Sequence, residues 1–493
     1  MPFTPTAEQV DAFDVFATGD DLVLEAGAGT GKTSTLKLLG ESVSDKGVYI
    51  AYNKAIADEA KGRFPTNVKC ATAHSFAYAA VGHKYRARLD AERKPPWKVA
   101  KLLRIDGSLA AGERILNEST LARLTMEMVG NFCNSADPTL TLSHRPYVEG
   151  LVGTRINPFT GQQEPHDYHR DLAALLLPFA EKVWEDLQKT SGEFAFSHDH
   201  YLKLWQLSSP KLNTQFVLFD EAQDANPVIA DIVAKQDCQR VYVGDRAQAI
   251  YGWRGAVDAM DIPGVQRRFL SQSFRFGPAI ADAANQYLTL LDTPLRLTGT
   301  DAVSSRLERG GPARAVLCRT NAGALQVLID AQTAGGRPFL VGGASEILSF
   351  CKGAIDLQNG RKAWHRDLIA FSSWDEVREH AREERGTLRT WVTILDTHTP
   401  QAVQTAMNAM PAREAQADLV VSTAHKAKGR EWESVRIHQD FDSNDAEGEP
   451  TKLSDPDVML RYVAVTRAMN VLDPGPLDIY APIAVPSAVD INH

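Results

Sequence analysis

Gly27-Ala-Gly-Thr-Gly-Lys-Thr33 gathers what is needed to hold a triphosphate. Backbone N–H groups from Gly27, Ala28, Gly29, Thr30 and Gly31 can surround the phosphates, and the helix start that follows adds its dipole. Lys32 can reach the β- and γ-phosphates, and the Thr33 hydroxyl can ligate Mg²⁺. With Ala26 in the first position, the run fits the phosphate-loop pattern once its leading glycine is relaxed to alanine. Phe216-Val-Leu-Phe-Asp-Glu-Ala-Gln-Asp224 is the complement. An apolar strand delivers Asp220, suited to Mg²⁺ through water, and Glu221, suited to orienting and deprotonating a water molecule. A third stretch, Val241 to Gly255, presents Gln248, Tyr251, Trp253 and Arg254 in one loop. The amide and guanidinium of Gln248 and Arg254 suit a γ-phosphate. The indole of Trp253, and more weakly Tyr251, suits an unstacked base.

The elements that must position these groups are short apolar runs alternating with helical patterns. Strands are expected at 21–26, 48–51, 216–219 and 241–243, with a helix at 32–39. A second set lies at 313–318, 339–341, 419–422 and 435–438. Such alternation implies parallel sheets covered by helices. The long stretch between Lys32 and Asp220 exceeds what a few strand–helix units need, so an insertion is expected about 82–200. A smaller one is expected about 344–411, entered through Gly335-Gly336 and Gly342-Gly343. Within it, Trp374 to Arg385 reads as a charged, solvated helix.

Composition sets the bounds. A chain of 493 residues exceeds one hydrophobic core. Its 44% hydrophobic and 23% charged content is that of an ordinary soluble protein. No apolar run approaches the roughly 18 residues of a membrane span, and Met1-Pro-Phe-Thr-Pro is no signal peptide, so a cytoplasmic, soluble location is expected. Five scattered cysteines without a Cys-x-x-Cys pair fit a reducing interior. The net charge of −9 opposes a general coat for nucleic acid but permits a local basic groove. One such stretch runs from Lys84 to Arg104, where eight basic residues surround Tyr85 and Trp97. The acidic stretch Asp440–Asp457 reads as a solvated loop.

Further motifs carry a family resemblance, in order from residue 4 to 468. They are Thr4-Pro-Thr-Ala-Glu-Gln9, Tyr52-Asn-Lys-Ala55, Thr72-Ala-His-Ser-Phe76, Leu270-Ser-Gln-Ser-Phe-Arg275, Val316-Leu-Cys-Arg-Thr-Asn321, Val421 to Trp432, and Tyr462-Val-Ala-Val-Thr-Arg-Ala468. With the three stretches above, the chain resembles the UvrD/Rep/PcrA-type DNA helicases of superfamily one, in a compact, F-box-helicase-like branch. The resemblance implies an α/β fold with two RecA-like parallel-sheet motor domains, each interrupted by a mainly helical insertion. It implies that Gln9 reads adenine, Phe274 packs on it, and Arg275 contacts the γ-phosphate. Glu431 is implied near the ribose and triphosphate, with Arg467 as the arginine finger. Tyr52, Asn53, His74, Phe76 and His425 are implied near DNA. Ser34 stands where many relatives carry an arginine beside the base, Arg430 and Trp432 replace Leu and Phe, and Ala51-Tyr52 replaces Phe-Thr.

The first motor domain is expected to span 1–81 and 201–275 around its insertion. The second is expected to span 276–343 and 412–493 around the reduced one. The resemblance implies ATP and Mg²⁺ as ligands, single-stranded DNA and single/double-strand junctions as partners, no membrane, and 3′→5′ movement in repair, recombination or replication. An alternative is a DNA-stimulated ATPase that displaces proteins without processive unwinding. A phosphate-loop enzyme for small molecules is opposed by Gln248–Arg254 and Arg467 lying in separate halves.

Overall fold

The computed structural model describes residues 4–91, 94–111, 114–157, 160–252, 255–365, 367–383, 387–442 and 453–477. In chain order the strands are β1 (Leu22–Ala26), β2 (Gly47–Ala51), β3 (Val68–Thr72), β4 (Leu109–Ala111), β5 (Arg114–Leu116), β6 (Val152–Ile156), β7 (Gln163–Asp167) and β8 (Phe216–Phe219). There follow β9 (Gln239–Gly244), β10 (Gln266–Leu270), β11 (Arg306–Leu307), β12 (Ala315–Cys318), β13 (Pro338–Leu340), β14 (Leu419–Thr423), β15 (Trp432–Ile437) and β16 (Ala468–Asp473). Two six-stranded parallel sheets result, ordered β10-β1-β9-β8-β2-β3 and β11-β16-β15-β12-β14-β13, with β4–β5 and β6–β7 as separate hairpins. These are two RecA-like sheets. The inner strand β1 is buried along its whole length, as a strand covered on both faces must be.

In the two main sheets the strands absent from the sequence reading are β3, β10, β11 and β16; the hairpins β4–β5 and β6–β7, inside a stretch expected to be mainly helical, are absent from it as well. Strand β10 is an edge that carries the polar run Gln266-Arg-Arg268, which discourages pairing with another chain. Arg267 pairs with Glu25 of β1 at 3.0 Å. Strand β3 closes the opposite edge and carries an exposed Lys69 between buried neighbours.

Between β3 and β8 lie the helices Pro96–Leu103, Glu118–Cys133, Tyr168–Leu187 and His198–Leu207, together with both hairpins. Their core is continuous with the first sheet, running from Val48 and Ile50 through Leu121 and Phe132 to Leu176. The helix His198–Leu207 continues through position 200, so the chain returns to the sheet only at β8. Between β13 and β14 lie four further helices, Ser345–Gln358, Trp374–Glu383, Thr387–His398 and Pro400–Asn408.

Three surface expectations change. The helix Trp374–Glu383 is not solvated all round, because Trp374, Val377 and Ala381 are buried at helical spacing, and Trp374 lies edge-on to Phe350. The acidic stretch is not simply a loop. Asp440 accepts backbone N–H bonds from Arg319 and Thr320 at 2.9 Å each, and the helix Asp455–Val465 begins inside the stretch; positions 443–452 lie outside the described residues. Within Lys84–Arg104, Tyr85 and Arg88 are core residues. Arg88 donates to the Asp186 carboxylate (2.9 Å) and to the carbonyls of Asp186, Lys189 and Phe194. Arg88→Ala should therefore lower stability by about 1–3 kcal/mol, since the Asp186 carboxylate and three carbonyls lose their donor. A melting temperature within a degree of the parent would contradict that role.

Candidate functional site between the two domains

The phosphate loop is a product of β1 and the helix Lys32–Glu41. Strand β1 ends at Ala26, and Gly27 N–H donates to the Leu270 carbonyl of β10 at 3.1 Å. Gly29 and Gly31 adopt φ of 75° and 78°, which side-chain-bearing residues avoid. A Cβ on Gly29 would lie 2.6 Å from Ser273 Oγ and from Arg275 Cβ. The loop thus closes tightly against the segment after β10, and its residues open onto a cavity of about 650 Å³ between the two sheets.

Opposite the loop, β8 carries the carboxylates. Asp220 accepts from Thr33 Oγ1 at 3.1 Å and from the Tyr49 hydroxyl at 2.7 Å. Burial and the adjacent Glu221 carboxylate push the Asp220 carboxyl above the usual range. A hydroxyl and a carboxylate in contact are hard oxygen donors suited to Mg²⁺, and a carboxylate that burial disfavours gains from a cation. The residues present therefore fit the ion. Glu221 sits at φ 53° and ψ 39°, a left-handed conformation that turns its side chain into the cavity. Burial pushes Glu221 up, but Lys32, Lys428 and Arg467, with a hydrogen bond from Gln223, outweigh it and hold the carboxyl below its ordinary value. Gln223 Nε2 donates to Glu221 at 2.6 Å, while its Oε1 accepts from Asp245 N–H at 3.0 Å.

The second domain completes the cavity. Arg467, at the end of the helix Asp455–Val465, is 1% exposed and donates to Gln248 Oε1 at 3.3 Å across the domain boundary. Burial and the nearby Arg275 draw its guanidinium down to about 9, which leaves it charged at neutral pH. The Tyr462 hydroxyl accepts from Ala28 N–H in the phosphate loop (3.2 Å) and donates to Asp245 (3.0 Å). Asp245 also accepts from Gln248 Nε2 at 2.6 Å. Lys428 pairs with Asp224 and donates to the Gln248 carbonyl at 2.6 Å. Arg275 Nε donates to Glu431 at 2.6 Å.

Of the residues singled out in the sequence, Gly29–Ser34, Glu221, Gln248, Phe274, Arg275, Glu431 and Arg467 line this one cavity. Phe274 is about half exposed there. Tyr52 and Asn53, expected near DNA, line it too; Asn53 also caps the helix Lys54–Lys61. Gln9 stands apart. It is buried, and its amide is engaged by Thr6 N–H at 3.0 Å and Thr35 Oγ1 at 2.9 Å. His74 pairs with Asp199 at 3.2 Å, and Phe76 lies beneath Lys69. The Tyr251 hydroxyl donates to the His425 carbonyl at 2.8 Å, so this ring spans the domain boundary. Trp253 and Arg254 lie outside the described residues.

Sequence reasoning missed Tyr49, Gln223, Asp245, Lys428 and Tyr462. Four of them stand inside motifs already quoted, so their position in those motifs was the available signal. Tyr49 reads as an ordinary strand residue.

Residues 6–260 match the family described as the UvrD/REP helicase N-terminal domain. The chain is 30% identical over 502 aligned residues to F-box DNA helicase 1 of Gallus gallus, covering 92% of this chain and 47% of that one. It is 28% identical over 502 residues to F-box DNA helicase protein 1 of Schizosaccharomyces pombe, covering 91% and 55%. The chain spans about half the length of these curated relatives.

Proposed function

The chain belongs to the UvrD/REP helicase family, and from that premise we propose that it is an ATP-hydrolysing motor that moves 3′→5′ along single-stranded DNA and opens duplex at single/double-strand junctions. Repair, recombination or replication is the setting such a motor serves. The observation that carries the reading is the contact between Arg467 and Gln248, which puts a guanidinium of the second domain beside the phosphate loop and carboxylates of the first.

Lys32 and the loop N–H groups bind the β- and γ-phosphates, with Phe274 against the base. Thr33 and Asp220 would hold Mg²⁺, which when bound would supply charge neutralisation at the phosphates. Glu221 orients the attacking water and takes its proton. Arg467 stabilises charge on the transferred group and can act only when the domains are closed. Loss of the γ-phosphate removes what Gln248, Arg254, Arg275 and Arg467 share, so the cleft loosens. Alternate closing and opening advances the strand over both domains, with Trp253, Phe76 and His425 among its contacts.

The reduced insertion between β13 and β14 favours a second reading, a DNA-stimulated ATPase that strips proteins without processive unwinding. ATPase rates with and without single-stranded DNA test both, and no stimulation would exclude both. Strand displacement on tailed duplexes of either polarity separates them and tests direction.

A pH dependence follows from Asp245. Burial raises its carboxyl to about 6. The carboxylate that accepts from Gln248 and Tyr462 therefore exists above that value and is lost as pH falls through it. The stimulated ATPase should show an acid limb near pH 6, and Asp245→Asn should remove the limb at a lower plateau. Stability from this group runs the other way: it is greatest below the ordinary carboxylate pKa and declines as pH rises through 6. A limb unchanged in Asp245→Asn would exclude this assignment.

A further inference from the structure

The cationic stretch Lys84–Arg104 has no part in the nucleotide site, and the fold divides it in two. Arg88 is committed to the core, and Lys94 donates to the Glu193 carbonyl. Lys84, Arg86, Lys98, Lys101 and Arg104 face outward, and Arg93 lies outside the described residues. On the helix Pro96–Leu103, Val99, Ala100 and Leu103 are buried, and the helix packs against Glu118–Cys133. Trp97, Lys98 and Lys101 occupy the opposite face and are exposed. Trp97 is 62% exposed, the largest value for an indole among the described residues. Lys98 and Lys101 have no acidic partner among the described residues, nor have Lys84, Arg86 and Arg104 in the same stretch. On a chain of net charge −9, this is a local concentration of unpaired positive charge around a bare aromatic ring.

Unpaired ammonium groups attract a polyanion, and an exposed indole gains most from a flat apolar partner that is itself unstacked. Single-stranded nucleic acid offers both. A duplex offers phosphates to the lysines but keeps its base faces stacked away from Trp97.

We propose that the outward face of the helix Pro96–Leu103 is a second contact for single-stranded DNA, on the first insertion and outside the cleft between the motor domains. This rests on the reading of the chain as a single-strand motor and adds a place where the strand is held beyond the motor groove. Trp97 stacks on a base, and Lys98 and Lys101 neutralise the flanking phosphates.

The test is binding of end-labelled oligothymidines of increasing length, and of a blunt duplex, to the whole chain over a range of salt. The parent should gain affinity once the oligomer is long enough to leave the motor groove. Trp97→Ala should lose about tenfold or more on long oligomers, while Trp97→Phe retains most of the gain. Lys98→Ala with Lys101→Ala should reduce the slope of log affinity against log salt by about 1.4, at roughly 0.7 per phosphate. Short-oligomer binding, ATPase on short oligomers and melting temperature should match the parent, because these side chains face solvent. Parent binding that the variants leave unchanged overturns the second contact alone. Equal losses on the blunt duplex overturn its single-strand character. Absence of any single-strand binding by the parent overturns the motor reading and this inference with it.

Discussion

Arg467→Ala should leave nucleotide binding within a few-fold of the parent while hydrolysis falls by about 10³–10⁵. The side chain sits at the domain boundary, almost wholly buried, beside Gln248. It is held by donation to the Val463 carbonyl (2.9 Å), the Arg430 carbonyl (3.2 Å) and Thr466 Oγ1 (2.9 Å). The guanidinium is therefore already oriented before charge develops on the transferred phosphoryl group, which is where electrostatic catalysis gains most. Binding survives because the phosphate loop belongs to the other domain. The loss of a buried donor also leaves several acceptors unsatisfied, so a stability cost of about 1–3 kcal/mol should accompany the change. Arg467→Lys should recover part of that stability but little activity, since one ammonium cannot replace a planar fork. Fluorescent-nucleotide binding and single-turnover hydrolysis check these outcomes; lost binding would remove Arg467 from the finger role.

Glu221→Gln should lower hydrolysis by about 10²–10⁴ with Mg²⁺-dependent nucleotide binding retained. The two carboxylates are adjacent in sequence yet aimed differently by backbone geometry. Asp220 points back to Thr33 and Tyr49, whereas the left-handed backbone at Glu221 aims its side chain across the cavity toward Gln223 and Lys428, 2.6 and 3.9 Å away. The amide keeps the shape but cannot take a proton from water. Asp220→Asn should behave differently, weakening Mg²⁺-dependent binding itself. Titrating Mg²⁺ in nucleotide-binding assays of both variants separates them, and equal loss of binding in the two would contradict the division.

How much of this was legible in the chain depends on the range of the interactions. Strand β1, the glycines at 29 and 31 and the helix from Lys32 are local features, as are β8 and its terminal carboxylates. Strands β3, β10 and β11 were not legible, because they are edges whose charged residues break the apolar run that marks a buried strand; β16 is an inner strand, but Asn470 interrupts its run. The helix at 374–383 misled by its charge, since three buried positions suffice to anchor it. Gln9 shows a different limit. Its motif points to a base but does not reveal that its amide also joins a capping box with Thr6 and donates to Thr35.

The sequence by itself determined that Gly29–Ser34 run from a loop into a helix after one strand and that Glu221 follows a second strand, because these elements are contiguous in the chain and their spacing is dictated by backbone geometry. Only the tertiary structure decided how the two halves are joined. Tyr462 bridges Ala28 and Asp245, Lys428 reaches Asp224, and Arg467 reaches Gln248. Each contact joins segments far apart in the chain, and nothing in their local composition distinguishes them from ordinary buried polar residues. Their partners exist only once two separately folded sheets pack together, and burial then makes each polar group depend on the one it faces.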